Sequence, residues 1–283
     1  MTGQRAVFLD VDGTYAHHGV VPAAHAAAVR AARANGHKVL LCTGRPLSML
    51  PPRLLAAGFD GIVAAAGGYV EVGGEVHSDL RFSPELASRA VAVLTRHDAA
   101  YLLEAPDALY GPLGLDVRLT ALLTHHLGPG PEHHEGPRDI LDRLTMSDEL
   151  SSVSFGKITV FDSRISAELL RDEIGGPTAV LPSSIPDMGD SAGEIYLANV
   201  DKAVGIAIAI EHLDIPRERT IAFGDGLNDI EMLAYAGIGV AIEGADQRVL
   251  SVADRVARGP QAEGLAAAFA ELGLIGEQDA PDA

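Results

Sequence analysis

Short, almost wholly apolar runs, several of them closed by a polar cluster, recur in the first and last thirds of the chain. Ala6-Val7-Phe8-Leu9, Val39-Leu40-Leu41-Cys42, Ile62-Val63-Ala64-Ala65, Thr220–Phe223 and Ile238–Ile242 are five such runs. Strands that are apolar throughout, not in alternate positions, belong to parallel sheets covered on both faces. Helical stretches stand between them. Pro22 opens an Ala-rich segment that stops at Asn35-Gly36, with Pro in the first turn and Gly past the end. Lys202–His212 and Asp229–Ala236 read as further helices, and Tyr69–Val76 as a hairpin turning at Gly73-Gly74.

Between Leu80 and about Asp190 the texture changes, with breaks at Gly128-Pro129-Gly130-Pro131 and Gly175-Gly176-Pro177. The pattern predicts strands at Tyr101–Glu104, Lys157–Phe161 and Ala179–Leu181, and helices at Pro84–Asp98, Pro137–Met146 and Ser166–Ile174. Because the parallel-sheet pattern resumes afterwards, this stretch reads as an insertion. The expectation is an α/β fold: a doubly wound parallel-sheet (Rossmann-like) core from residues 1–79 and 190–276, with an αβ cap domain at 80–189. Its boundaries fall near Ser78–Leu80 and Asp190–Glu194, where Ser191-Ala192-Gly193 offers a hinge. Residues 277–283, small and acidic, read as a frayed tail.

Composition narrows the function. The 283 residues carry 21 Lys+Arg against 39 Asp+Glu, a net charge of −18. Such a field repels phosphate polyanions, so nucleic acid and anionic membrane surfaces are poor partners. The single Cys42 excludes an internal disulfide or a multi-cysteine zinc site. No apolar run approaches a bilayer span, and the start MTGQRAVFLDVDGT meets an acid too early for a signal peptide. A cytoplasmic protein is expected; oligomeric state is not legible.

Four polar clusters lie at strand ends or helix starts, where α/β sheets bind ligands. Asp10-Val11-Asp12-Gly13-Thr14 follows the first apolar run. Two carboxylates there can divide nucleophile or metal ligand from proton donor and acceptor, although Asp-Gly is also a common turn pair. Thr43-Gly44-Arg45-Pro46 closes the second run and offers a hydroxyl and backbone N–H groups to phosphate oxygens. Lys202 follows Asp201, a candidate N-cap; a lone Lys is more often a solvated charge. Gly224-Asp225-Gly226-Leu227-Asn228-Asp229 packs two carboxylates and an amide between glycines, a hard-oxygen set suited to Mg²⁺.

Taken together and in this order, the clusters resemble the motifs of the haloacid-dehalogenase-like (HAD) phosphatases. Gly-Asp-Gly-Leu-Asn-Asp-Ile-Glu-Met-Leu, then Ala-Gly-Ile-Gly-Val-Ala-Ile, and an insertion of this size resemble subfamily IIB, the Cof-type sugar-phosphate phosphatases. The resemblance implies a small phosphorylated substrate, Asp10 as nucleophile and Asp12 as acid/base. It implies phosphate binding by Thr43, Gly44, Lys202 and Asn228. Mg²⁺ would be held by Asp10, the Asp12 carbonyl and Asp225, with Asp229 in support. A phosphosugar mutase shares this core, and a phospho-accepting receiver domain uses similar groups in another order.

Three positions depart from the Cof-type pattern: Ala66-Gly67-Gly68 where Asn-Gly-Ala is usual, Lys202-Ala203 for Lys-Gly, and Glu243-Gly244-Ala245 for Gly-Asn-Ala. The pairs His17-His18, His125-His126 and His133-His134 read as loop residues rather than metal ligands, with His17-His18 near enough to the first motif to touch substrate. Cys42 reads as a small buried hydrophobe.

Overall fold

The computed structural model describes residues 3–127, 135–183, 185 and 187–276. By backbone contacts the chain divides into two compact units. One takes the residues up to Arg45, Leu50–Asp79 and those from Asp201 onward; the other takes Pro46–Met49 and Leu80–Val200.

The first unit begins with β1 (Ala6–Leu9), α1 (Ala23–Ala34), β2 (Lys38–Cys42), α2 (Pro52–Leu55), β3 (Gly61–Ala64), β4 (Tyr69–Val72) and β5 (Glu75–Asp79). All four β1 residues are fully buried, and each large side chain so buried contributes about 1.5–3 kcal/mol of transfer free energy. The pattern of unbroken apolar runs is thereby explained.

The second unit supplies α3 (Pro84–Arg96), β6 (Ala100–Glu104), β7 (Leu109–Gly111), α4 (Leu115–Leu127), α5 (Glu135–Arg143), β8 (Leu144–Met146), β9 (Lys157–Asp162), α6 (Ala167–Ile174), β10 (Thr178–Pro182) and β11 (Gly193–Leu197). Its sheet runs β10-β11-β9-β6-β7-β8, antiparallel except for β7–β8. Leu86, Ala90 and Leu94 of α3 and Leu170 and Ile174 of α6 pack with Tyr101, Leu103, Ile158 and Val160. Leu115, Leu119 and Leu123 of α4 pack with Ala100, Leu102 and Phe161.

The first unit then resumes with α7 (Lys202–Leu213), β12 (Thr220–Gly224), α8 (Ile230–Tyr235), β13 (Ile238–Ile242), α9 (Gln247–Val252), β14 (Arg255–Ala257) and α10 (Gly264–Glu271). Its eight strands are ordered β14-β13-β12-β1-β2-β3-β4-β5. Every pairing from β14 to β3 is parallel, and β3–β4–β5 close antiparallel. Phe8, Leu40 and Val63 pack with Ile206, Ala209 and Ile210 of α7 and Met232 and Leu233 of α8. Phe223 meets Phe269 of α10, centroids 5.6 Å apart. This is the doubly wound α/β fold with a second αβ unit.

Two sequence expectations need correction. The boundary near residue 190 moves to Val200/Asp201, because β11 pairs with β9 and β10 in the second sheet. Gly193 is consequently the first residue of a strand, not a hinge in a linker. The helix expected over Pro137–Met146 ends at Arg143, and Leu144–Met146 pairs in parallel with β7. The pair His133-His134 and the tail at 277–283 lie outside the described residues. Among the described residues no helix is long and apolar enough to cross a membrane.

Candidate active site

Asp10 is the residue immediately after β1, its backbone N–H donating to the Phe223 carbonyl (2.9 Å) at the end of β12. Two neighbouring parallel strands therefore deliver Asp10 and the Gly224–Asp229 turn to the same sheet edge. Gly13, at φ 91°, lets the chain turn away from β1; a Cβ there would lie 2.2 Å from an Asp225 oxygen. Thr14 Oγ1 donates to Asp225 Oδ1 at 2.7 Å and fixes that carboxylate.

Asp10, Asp225 and Asp229 each offer a carboxylate oxygen, and these atoms lie within 4.8 Å of one another. Lys202, first residue of α7 and 0% exposed, donates through Nζ to Asp10 Oδ1 (2.6 Å) and Asp229 Oδ1 (2.5 Å). Asp229 Oδ2 accepts from the backbone N–H groups of Asp225 (2.9 Å) and Gly226 (2.8 Å). Both Asp229 oxygens thus have partners within the protein. Asp201 places Lys202 by capping α7, its Oδ1 accepting from Val204 N–H at 2.9 Å.

The electrostatics are unbalanced. Three buried or half-buried carboxylates surround one ammonium. Burial, then repulsion from Asp229 and Asp225, pushes the Asp10 carboxyl well above its usual range against the pull of Lys202. Burial raises Asp225 to about 6, opposed by the Thr14 hydrogen bond and assisted by the Asp229 charge. Burial alone would lower Lys202, but the Asp10 and Asp229 charges more than offset it and hold the ammonium protonated. A hard divalent cation beside Asp10 and Asp225 would neutralise the excess, and all-oxygen donors are what Mg²⁺ takes. The residues fit that ion.

Of the remaining expected residues, Thr43 is buried at the end of β2 and accepts the Arg45 backbone N–H on Oγ1 (3.1 Å). Gly44 and Asn228 face each other: a Cβ on Gly44 would lie 3.1 Å from Asn228 Nδ2. The Asp12 carboxylate is not in the acidic cluster. Arg45 holds it through Nε to Oδ2 (2.6 Å) and Nη2 to Oδ1 (2.7 Å). Arg45 and Thr14 are the site residues that the motif reading did not assign, though both stand inside the quoted motifs. The rings of His17 and His18 lie 3.9 Å apart and Gln261 reaches His17 at 3.1 Å; His125 and His126 end α4. Cys42 is buried, its thiol raised by desolvation.

A parallel sheet with carboxylates gathered at strand ends around a buried lysine is an α/β arrangement suited to phosphoryl transfer. The family model for haloacid dehalogenase-like hydrolases matches residues 7–269. The Bacillus subtilis (strain 168) protein named "Putative phosphatase YkrA" is 28% identical over 284 residues, covering 96% of this chain and 98% of its own. The structure of the HAD subclass IIB sugar phosphatase BT4131 superposes with a TM-score of 0.72 at 25% identity, over 96% of this chain and 100% of that one. A hypothetical protein from Geobacillus kaustophilus HTA426 gives a TM-score of 0.79 at 25% identity, with the same coverage. The chain belongs to the haloacid dehalogenase-like hydrolases, in their Cof-type subclass IIB, and is a phosphatase.

Proposed function

We propose that the chain hydrolyses small phosphomonoesters with hydroxylated leaving groups, sugar phosphates or similar metabolites, with Mg²⁺ and through an aspartyl-phosphate. The observation that carries this reading is the Asp10 carboxylate at a strand end, one oxygen held by Lys202 and Asp225 beside it.

Asp10 attacks phosphorus, forming an O–P bond as the leaving-group O–P bond breaks. Asp12 gives its proton to the departing alkoxide. Asp12 then takes a proton from the water that attacks the aspartyl-phosphate, releasing phosphate and restoring Asp10. Thr43, the Gly44 N–H, Lys202 and Asn228 hold phosphoryl oxygens, and Lys202 offsets charge that develops on them. Mg²⁺, held by Asp10, the Asp12 carbonyl and Asp225 with Asp229 behind, would supply electrostatic neutralisation between an anionic nucleophile and an anionic ester.

The test is phosphate release from phosphorylated sugars, glycerates and cofactors, with Mg²⁺ and no bisphosphate activator. Turnover should vanish with EDTA. Asp10→Asn should abolish covalent phosphorylation, and Asp12→Asn should lose turnover while phosphate still binds. Undiminished turnover in the chelated sample, or activity only with a bisphosphate, counts against the reading.

A further inference from the structure

We propose that Arg45 is the positioning residue for Asp12, holding the proton-transfer carboxylate in register with the phosphoryl site. The proposal rests on the assignment of Asp12 to proton transfer made above. Asp12 sits in the loop that leaves β1, with its side chain 52% exposed. Left alone, such a carboxylate would sample several rotamers. Arg45 removes that freedom, because its Nε and Nη2 meet the two Asp12 oxygens separately and so fix both side-chain torsions.

Arg45 is itself anchored. It is 8% exposed, its N–H donates to Thr43 Oγ1 at 3.1 Å, and its carbonyl accepts Ala65 N–H at 2.8 Å. One residue thus ties together the ends of β1, β2 and β3: Asp12 through the guanidinium, Thr43 and Ala65 through the backbone. Thr43 is the hydroxyl assigned to the phosphoryl oxygens. Any shift of Arg45 would move the acid/base relative to the group it serves.

Stability does not account for the pair. A carboxylate this exposed gains little from an ion pair, because water screens it. Placement of a reacting group matters far more, since an error near 1 Å can cost about 10²-fold in rate. The fork is what the geometry uses; a Lys ammonium would supply charge at one point and leave the carboxylate free to rotate.

The test compares R45M and R45K with the unaltered 283-residue chain on glycerol 2-phosphate and p-nitrophenyl phosphate. On glycerol 2-phosphate, whose alkoxide needs a proton, R45M should lose about 10²-fold in kcat with little change in KM. R45K should recover only part of that loss. On p-nitrophenyl phosphate, whose leaving group needs no proton, rapid mixing should show a burst of p-nitrophenolate at close to the unaltered rate. Slow turnover should follow, because Asp12 must still accept the proton of water.

Equal losses in the burst and in alkyl turnover would assign Arg45 a purely structural role and overturn the proposal. So would unaltered kcat in either variant. If R45M does not fold, R45K decides alone by the same two readouts. Asp12→Asn, measured alongside, separates the two levels. Full turnover in Asp12→Asn, or no hydrolysis of either ester by the unaltered chain, overturns the reading beneath. An inactive Asp12→Asn with both Arg45 variants unimpaired overturns the role of Arg45 alone.

Discussion

Ala66 follows β3 at φ 54°, ψ 32°, a left-handed conformation that costs an L-residue with a Cβ roughly 1–2 kcal/mol. Ala65, at φ 49°, bears the same penalty. Asn tolerates this region because its side chain hydrogen-bonds locally. Ala66→Asn is therefore expected to raise stability by about 1 kcal/mol, seen as an upward shift of roughly 2–4 °C in the melting midpoint. A lower midpoint would show that the strain is compensated by packing around the methyl group. The missing Asn is legible in the sequence, but its backbone cost is not. Asp10, Thr43, Lys202 and Asp225 were legible because each closes an apolar strand or opens a helix, places where chemistry collects. Arg45 was quoted but unassigned: a guanidinium after Thr-Gly says nothing until Asp12, 33 residues away, is known to face it.

Lys202 is placed by an approach between elements that only glycine permits. Gly67, at φ 104°, lies against the start of α7, where a Cβ would fall 1.9 Å from the Asp201 carbonyl. Gly67→Ala should displace the capped end of α7 and carry Lys202 off Asp10, lowering kcat by about 10²-fold. Steady-state kinetics and a thermal melt on the same preparation check this; intact kcat would mean that α7 tolerates the shift. A second link joins α1 to α10. His25 is 0% exposed; its Nε2 accepts Leu265 N–H (3.3 Å), so Nδ1 carries the proton and donates to the Tyr15 carbonyl (3.0 Å). Burial lowers its pKa, opposed by the Tyr15 hydrogen bond and by Glu263. The unfolded chain takes a proton near the usual 6.5, whereas the folded chain resists it. This contribution is present above that value and is lost as pH falls from there toward the lowered folded value. Denaturant midpoints should show the gap between the unaltered chain and His25→Gln narrowing from pH 7.5 to pH 5. A constant gap would reject the linkage.

Which elements the sequence revealed follows the same physics. β1, β2, β3, β12 and β13 are buried on both faces and so read as unbroken apolar runs. β7, β8 and β14 are three residues long, and β8 and β14 lie at sheet edges, where little apolar signal is required. β11 opens on Gly193 and Glu194, so it carries no unbroken apolar run and reads as linker, although it pairs with β10 and β9. α4 buries Leu115, Leu119 and Leu123 yet leaves Val117 72% exposed, which blurred its helical period.

At the scale of the molecule, the −18 charge matters less by its size than by where part of it is buried. Asp10, Asp225 and Asp229 share the single ammonium of Lys202, a local excess of negative charge that solvent does not screen well. The folded chain should therefore gain stability from a cation that the unfolded chain binds weakly. At 100 times the dissociation constant such linkage supplies about 2.7 kcal/mol. Mg²⁺ should raise the calorimetric midpoint by several degrees in a saturable way, and excess EDTA should restore the lower value. The gain belongs to the unit that carries the site. If the chain melts in two transitions, the one for residues up to 45, 50–79 and from 201 onward should move, and the one for 80–200 should not. NaCl at matched ionic strength acts on surface repulsion throughout the chain and should not reproduce the shift. Asp225→Asn removes one carboxylate oxygen ligand and relieves part of the repulsion. It should melt higher than the unaltered chain without Mg²⁺ and gain less when Mg²⁺ is added. An equal gain in that variant, or an equal rise with NaCl, would show that the cation acts on the general charge and not at Asp10 and Asp225.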